Sequence, residues 1–190
     1  MSRTIAVILL VERFIYSLSM LFIRLCVAES LVAVLCRGFG MSAWIVPVSE
    51  ANWEVVRRLN IYGAPENSVA PKLIRVGDYI VFYVTVKGSR VLGGKFVGVY
   101  RVVSEWFRED KPLWPDEVAE NRVKYPWRIR LEPVKLGIAD FRELVYKLSF
   151  IKGRKIPQAM LVGTPANMRR PIPEEDLRII LERLLQLLVP

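Results

Sequence analysis

Three observations predict an α+β chain built around a small β-barrel. A strand-like run at residues 43–48 leads directly into a helical one. Two β-rich runs at 79–86 and 95–103 are joined by a glycine-containing turn, and an amphipathic helical pattern closes the chain at 173–188. Strands followed by hairpins and a terminal helix make an α+β or small-barrel order, not a βαβ one. No internal repeat is present.

Ala43-Trp44-Ile45-Val46-Pro47-Val48 is rich in β-formers. Ser49 is a favoured helix N-cap, Glu50 adds negative charge to the first turn, and residues 52–59 continue as helix. Asn60 and Gly63 supply the turn chemistry that ends it. A polar loop at 65–71 and the turn Val76-Gly77-Asp78 lead into 79–86, which is dense in β-branched and aromatic residues. Residues 87–94 turn the chain, and 95–103 return as the hairpin partner. Gly98 inside that strand predicts a bulge or a close backbone approach, as a tightly curved barrel needs.

Residues 106–125 read as a long loop with one helical turn at 116–121, and loops of that length in compact domains are often functional. Residues 126–134 alternate, with Trp127, Ile129 and Leu131 on one face and Arg128, Arg130 and Glu132 on the other. A short helix is expected over 138–148, burying Phe141, Leu144, Val145 and Leu148. Extended pieces at 150–151 and 159–162 then flank Lys152-Gly153-Arg154-Lys155. Pro173 opens the last helix, Glu174, Glu175 and Asp176 load its first turn, and Leu177, Ile180, Leu181, Leu184, Leu185 and Leu188 form its apolar stripe.

The 190 residues carry a net charge of +9, which suits a polyanionic partner such as nucleic acid. Histidine is absent, and the two cysteines, Cys26 and Cys36, both precede Met41. A Cys/His zinc site, a Ser-His-Asp set and a Cys-His pair are therefore excluded from the main domain. Two cysteines in an apolar leader do not form a disulfide framework, so a cytoplasmic location is expected.

Residues 1–40 form a hydrophobic N-terminal extension, distinct from a domain spanning 41–190. Glu12-Arg13, Arg24 and Glu29 interrupt the extension, and its longest uncharged run, 14–23, has ten residues. A spanning helix needs about 20 apolar residues, and charges within one are costly, which argues against a membrane partner. Three readings stand: a hairpin or helix packed on the domain or a partner, a weak membrane anchor, or an over-called start with translation beginning at Met41. Removing Arg3, Arg13, Arg24, Arg37, Glu12 and Glu29 still leaves +7.

The first strand with Ser49-x-x-Asn52-Trp53, then Tyr125-Pro126-Trp127-Arg128-Ile129, then Pro173-Glu174-Glu175-Asp176, resemble the EVE domain family in that order. The resemblance covers about residues 41–190. It implies a PUA-like fold, a small β-barrel flanked by helices, related to the YTH readers of methylated RNA. It also implies a non-enzymatic nucleic-acid-binding module, for DNA or RNA, that encloses a modified, methylated base in an aromatic pocket. Such a pocket works by stacking, at about 1–3 kcal/mol per base, on a base flipped out of its strand.

The residues matching the family's pocket wall are Asn52, Trp53, Tyr62 and Gly63, with Tyr83 and Tyr125 as further candidates. Trp53 and Tyr62 flank one short helix, and they converge with Tyr83 if the barrel mouth opens beside the helix start. Trp44 is expected in the barrel core. Lys152, Arg154, Lys155, Arg169 and Arg170, in loops with glycine and proline, are candidate phosphate contacts. No cofactor, metal or catalytic set is expected, and no phosphate-binding glycine fingerprint is present. The alternative is a metal-dependent nuclease or RNA-processing enzyme using the strand-end carboxylates Asp78, Glu105 and Glu132 with Lys135. Asp78 beside Gly77 also reads as ordinary turn chemistry.

Overall fold

A computed structural model describes residues 41–161 and 170–184. The three readings of residues 1–40 therefore lie outside the described residues, as do Arg169, Leu185 and Leu188. The elements run β1 (Ala43–Val48), α1 (Glu50–Leu59), β2 (Ile61–Ala64), α2 (Ala70–Leu73), β3 (Tyr79–Val84) and β4 (Lys95–Val102). They continue with β5 (Phe107–Arg108), α3 (Pro115–Glu120), β6 (Trp127–Asp140), α4 (Phe141–Leu144), 3-10 turns at Ser149–Ile151 and Pro157–Met160, and α5 (Glu174–Arg183).

The strands form one mixed sheet in the order β1-β3-β4-β6-β2, with β5 also on β6. β1 and β3 are parallel, joined by the crossover that contains α1, β2 and α2, and the other pairs are antiparallel. β3 is buried along its whole length and sends its side chains to two separate cores. Tyr79, Val81 and Tyr83 join one with Phe96, Phe141, Leu144 and Ile180. Ile80, Phe82 and Val84 join the other with Trp44, Trp53, Tyr62 and Ile129.

Trp44 and Val46 of β1 and Tyr62 and Ala64 of β2 share this second core, although their strands end opposite sides of the sheet order. The sheet must therefore curl until its two ends face each other. β1 and β2 are not paired, so the α+β small-barrel expectation is met as a curled half-barrel with helices. Gly98 supplies part of the curl. Register breaks between Phe96 and Gly98 on the β6 side, and a Cβ at Gly98 would lie 2.9 Å from Leu136 Cδ2 and 3.1 Å from Trp53 Cη2. Both the bulge and the close approach expected there are present.

α1 begins as the sequence predicts. The Ser49 hydroxyl accepts from the Asn52 amide at 3.2 Å, and Asn60 ends the helix in the left-handed region at φ 53°. Trp44 is in the core, as expected, with its indole N–H donated to Asp78 Oδ2.

Three expectations need correction. β6 runs through Asp140, so residues 138–140 are strand and the helix after it is only Phe141–Leu144. Continued pairing with β4, down to Lys95 opposite Asp140, holds them extended. Residues 150–151 and 159–160 are 3-10 rather than extended; at the first, the buried Asp176 collects the Ser149 and Phe150 amides and the Ser149 hydroxyl into a tight turn. Arg128, set by alternation on the charged face with Arg130 and Glu132, is buried for the reason given below. Among the described residues no helix is long and apolar enough to cross a membrane.

Candidate functional site

A cleft of about 610 Å³ opens where the end of β1, the first turn of α1, β2 and the loop carrying α3 meet. β1 contributes Pro47 and Val48, α1 contributes Asn52 and Val56 with the cap residue Ser49, and β2 contributes Tyr62 and Gly63. Trp114, Asp116 and Tyr125 come from the loop around α3.

That loop is positioned by one buried carboxylate. Glu117 Oε2 accepts from the Leu113 and Trp114 amides at 2.7 and 3.2 Å, and Oε1 from the Lys124 and Tyr125 amides at 2.7 and 2.8 Å. Burial pushes the Glu117 carboxyl up, but these four amides outweigh it and hold the group below its usual range. Arg128 comes within 3.8 Å of Glu117 and 3.3 Å of Glu109, donates to the carbonyl of Lys111 and lies 5.1 Å over the Trp114 ring. An arginine on the outer register of β6 is thus buried because the loop folds over it and supplies its partners.

Within the cleft, Trp114 packs edge-on to Tyr125 with ring centres 5.3 Å apart, and its six-membered ring lies against Gly63. A Cβ at Gly63 would fall 2.3 Å from Trp114 Cη2, so only glycine admits the ring there. The Tyr125 hydroxyl donates to Asp116 Oδ2 at 2.9 Å and accepts from Asn52 Nδ2 at 3.5 Å. Burial, with the Asp116 carboxylate beside it, pushes the Tyr125 hydroxyl up to about 12, so it stays a donor. Burial also raises Tyr62. Lys124 Nζ adds an ion pair to Asp116 Oδ2 at 3.3 Å. Asn52 Oδ1 and Asp116 Oδ1 are buried and have no hydrogen-bond partner among the described residues.

Asn52, Tyr62, Gly63 and Tyr125 are therefore brought together around one cleft. Trp53 and Tyr83 are not among its lining residues. Trp53 is 3% exposed and sits in the core against Phe82 and Tyr100, because its position in the first turn of α1 points inward over Gly98. Tyr83 is 1% exposed on the other face of β3, packed on Phe96 and Phe141. The period of two along β3 separates it from Phe82 and the cleft. Sequence reasoning missed Trp114 and Asp116. The Trp114-Pro115-Asp116 helix start was their local signal, but nothing local shows which way such a loop folds.

Lys152, Arg154, Lys155 and Arg170 are exposed, and none of them lines the cleft. Of the strand-end carboxylates, Asp78 and Glu132 have separate partners. Asp78 accepts from the Ser42 amide, the Arg75 amide and the Trp44 indole, and Glu132 pairs with Arg101 at 2.6 Å. Lys135 donates to the carbonyl of Leu181. Among the described residues no group of three acidic or sulfur ligands is placed to hold a metal ion.

The fold and cleft define the chain as a curled α+β half-barrel with an aromatic cleft beside a helix start. The family model for the EVE domain matches residues 42–183, and the chain belongs to the EVE domain family. It is similar to a UPF0310 protein of Saccharolobus solfataricus, at 38% identity over 142 residues covering 75% of this chain and 94% of that protein. A UPF0310 protein of Pyrococcus abyssi is 35% identical over 145 residues, covering 74% and 97%. Among solved structures, the chain is similar to the YTH domain of the Zygosaccharomyces rouxii MRB1 protein in complex with N6-methyladenosine RNA. That match has a TM-score of 0.49 and 17% identity, covering 80% of this chain and 94% of the other.

Proposed function

We propose that this EVE domain is a nucleic-acid-binding module that reads a modified, methylated base in the cleft between α1, β2 and the α3 loop. The observation that carries the reading is a cleft lined by Tyr62, Trp114 and Tyr125 together with Asn52 and Asp116, two residues that each keep one buried oxygen without a hydrogen-bond partner among the described residues. Buried polar atoms left without partners are rare, and a ligand that supplies donors would satisfy both once a small side-chain shift opens them to the cleft. The cleft's volume is in the range of small-molecule sites. Aromatic rings beside it can stack on a flipped base. Two acceptors select a base edge that presents N–H groups, as the amino groups of cytosine and adenine do, methylated or not. A carbonyl edge would set acceptor against acceptor. The net charge of +9 supports an anionic polymer around that base.

The test is binding of the full chain to matched oligonucleotides, plain or carrying methylated cytosine or methylated adenine, as single and double strands at low and high salt. One modified strand should bind tighter than its plain counterpart. Asn52→Ala and Tyr125→Ala should each reduce that preference about tenfold, the cost of one buried hydrogen bond or stacked ring. Equal binding of every strand, or a preference that survives both substitutions, would refute the base reader. Trp53→Ala is unsuited to this test, because removing a buried tryptophan costs the fold about 3–5 kcal/mol.

A further inference from the structure

Tyr146 is 93% exposed, an unusual setting for a large ring that is ordinarily at least half covered. Fraying of the surrounding chain does not explain it. Leu144, Leu148 and Ile151, on either side, are each 1% exposed in the core that contains Tyr83 and Phe141. Asp176 clamps Ser149 and Phe150, and the Lys147 and Leu148 amides return to the Leu144 carbonyl. The turn is anchored every few residues and holds Tyr146 outward.

Past the exposed Glu143, the charges that follow in the chain are one-sided. No acidic residue occurs from 144 to 173, while Lys147, Lys152, Arg154, Lys155, Arg169 and Arg170 fall in that span. Lys147, Lys152, Arg154 and Lys155 are exposed and have no ion pair among the described residues. Elsewhere some surface cations are matched, as in Arg57 with Glu54, Arg101 with Glu132, Arg108 with Glu66 and Arg178 with Glu175 and Glu182, while others, such as Arg58, Arg122 and Arg130, are exposed without an ion pair among the described residues. Asp176, the carboxylate that α5 brings to this turn, is buried and spent on its amides.

We infer that the turn 145–156 is a second nucleic-acid contact, on which a base of a single strand stacks on Tyr146 while its neighbouring phosphates meet Lys147, Lys152, Arg154 and Lys155. An exposed ring flanked by unpaired cations suits a partner with both flat π-faces and repeated negative charge, and a single-stranded nucleic acid has both. The site lies over the sheet face opposite the core beneath the cleft. Register places Val48, Val84, Lys95 and Asp140 at one end of the sheet, so β1's approach to the cleft and the start of α4 share that end. A strand passing around it could engage both. The inference rests on the nucleic-acid reading above for its class of partner, but it needs no modified base.

The probe is unmodified single-stranded oligonucleotide, DNA in one arm and RNA in the other, titrated with the full chain. Tyr146→Ala should weaken binding about tenfold while leaving the ratio of modified to plain affinity unchanged, and Tyr146→Phe should retain wild-type binding. Lys152→Ala with Lys155→Ala should make the dependence of log affinity on log salt shallower, by about 0.7 for each phosphate that is no longer neutralised. Unchanged affinity in Tyr146→Ala overturns the inference while leaving the base-reading cleft standing. So does a Tyr146-dependent dimer in sedimentation, or Tyr146-dependent binding to anionic vesicles in place of oligonucleotide. Loss of the modified-base preference with an intact Tyr146 effect would instead sink the cleft reading alone.

Discussion

Glu117 shows how much one side chain can organise in this protein. It is 0% exposed and satisfies four amides at both ends of the α3 loop, beside a guanidinium that is itself buried. Glu117→Gln keeps the volume but turns an amide NH₂ toward donors, and should destabilise the fold by about 3 kcal/mol, read as a lower urea midpoint at neutral pH. The pH dependence has a definite sign. A carboxyl held below its usual 4.5 stabilises the fold above that pH and loses the contribution as pH falls through its folded value. The gap between wild type and Glu117→Gln should therefore narrow in acid, and a constant gap from about pH 7 to pH 3 would contradict the role. Gly63 sets the other limit on the loop. Gly63→Ala should displace the Trp114 ring, costing about 1–3 kcal/mol, with a shift in tryptophan emission.

Among the elements, α1 depends on local chemistry that can be tested alone. Ser49→Ala removes the hydroxyl that caps the Asn52 amide and should cost about 1 kcal/mol in thermal or chemical unfolding. Because Asn52 lines the cleft, the same change should also loosen the site, while leaving β-sheet circular dichroism intact. Locality decides what was legible before the structure. The Ser49 and Asn60 caps of α1, the β3–β4 hairpin, the bulge at Gly98 and the buried stripe of α5 as far as Leu184 are written in neighbouring residues, and each is found. Gly63, by contrast, lies within β2 and does not help end α1. The length of β6, the 3-10 turn at Ser149 and the burial of Arg128 depend on Lys95, Asp176 and Glu117, which are distant in sequence or on another element. The cleft divides the same way. Asn52, Tyr62 and Gly63 sit beside a readable helix, whereas Trp114 and Asp116 reach it only because a buried carboxylate folds their loop inward.

Across the whole molecule, the curl of the sheet sets the two cores apart and gives each a separate surface. One carries the cleft, and the other supports the turn that displays Tyr146. Changes on one side should leave the other unperturbed, since residues without shared partners act independently. The outer edge of β1 is finished late, by a bridge in which the Ile172 amide donates to the Ala43 carbonyl at 2.8 Å. During synthesis the first strand of this domain emerges more than a hundred residues before the segment that covers it. A nascent chain stalled short of Ile172 would hold an open β-edge at the ribosome exit, ready for a chaperone or a neighbouring polypeptide to pair with.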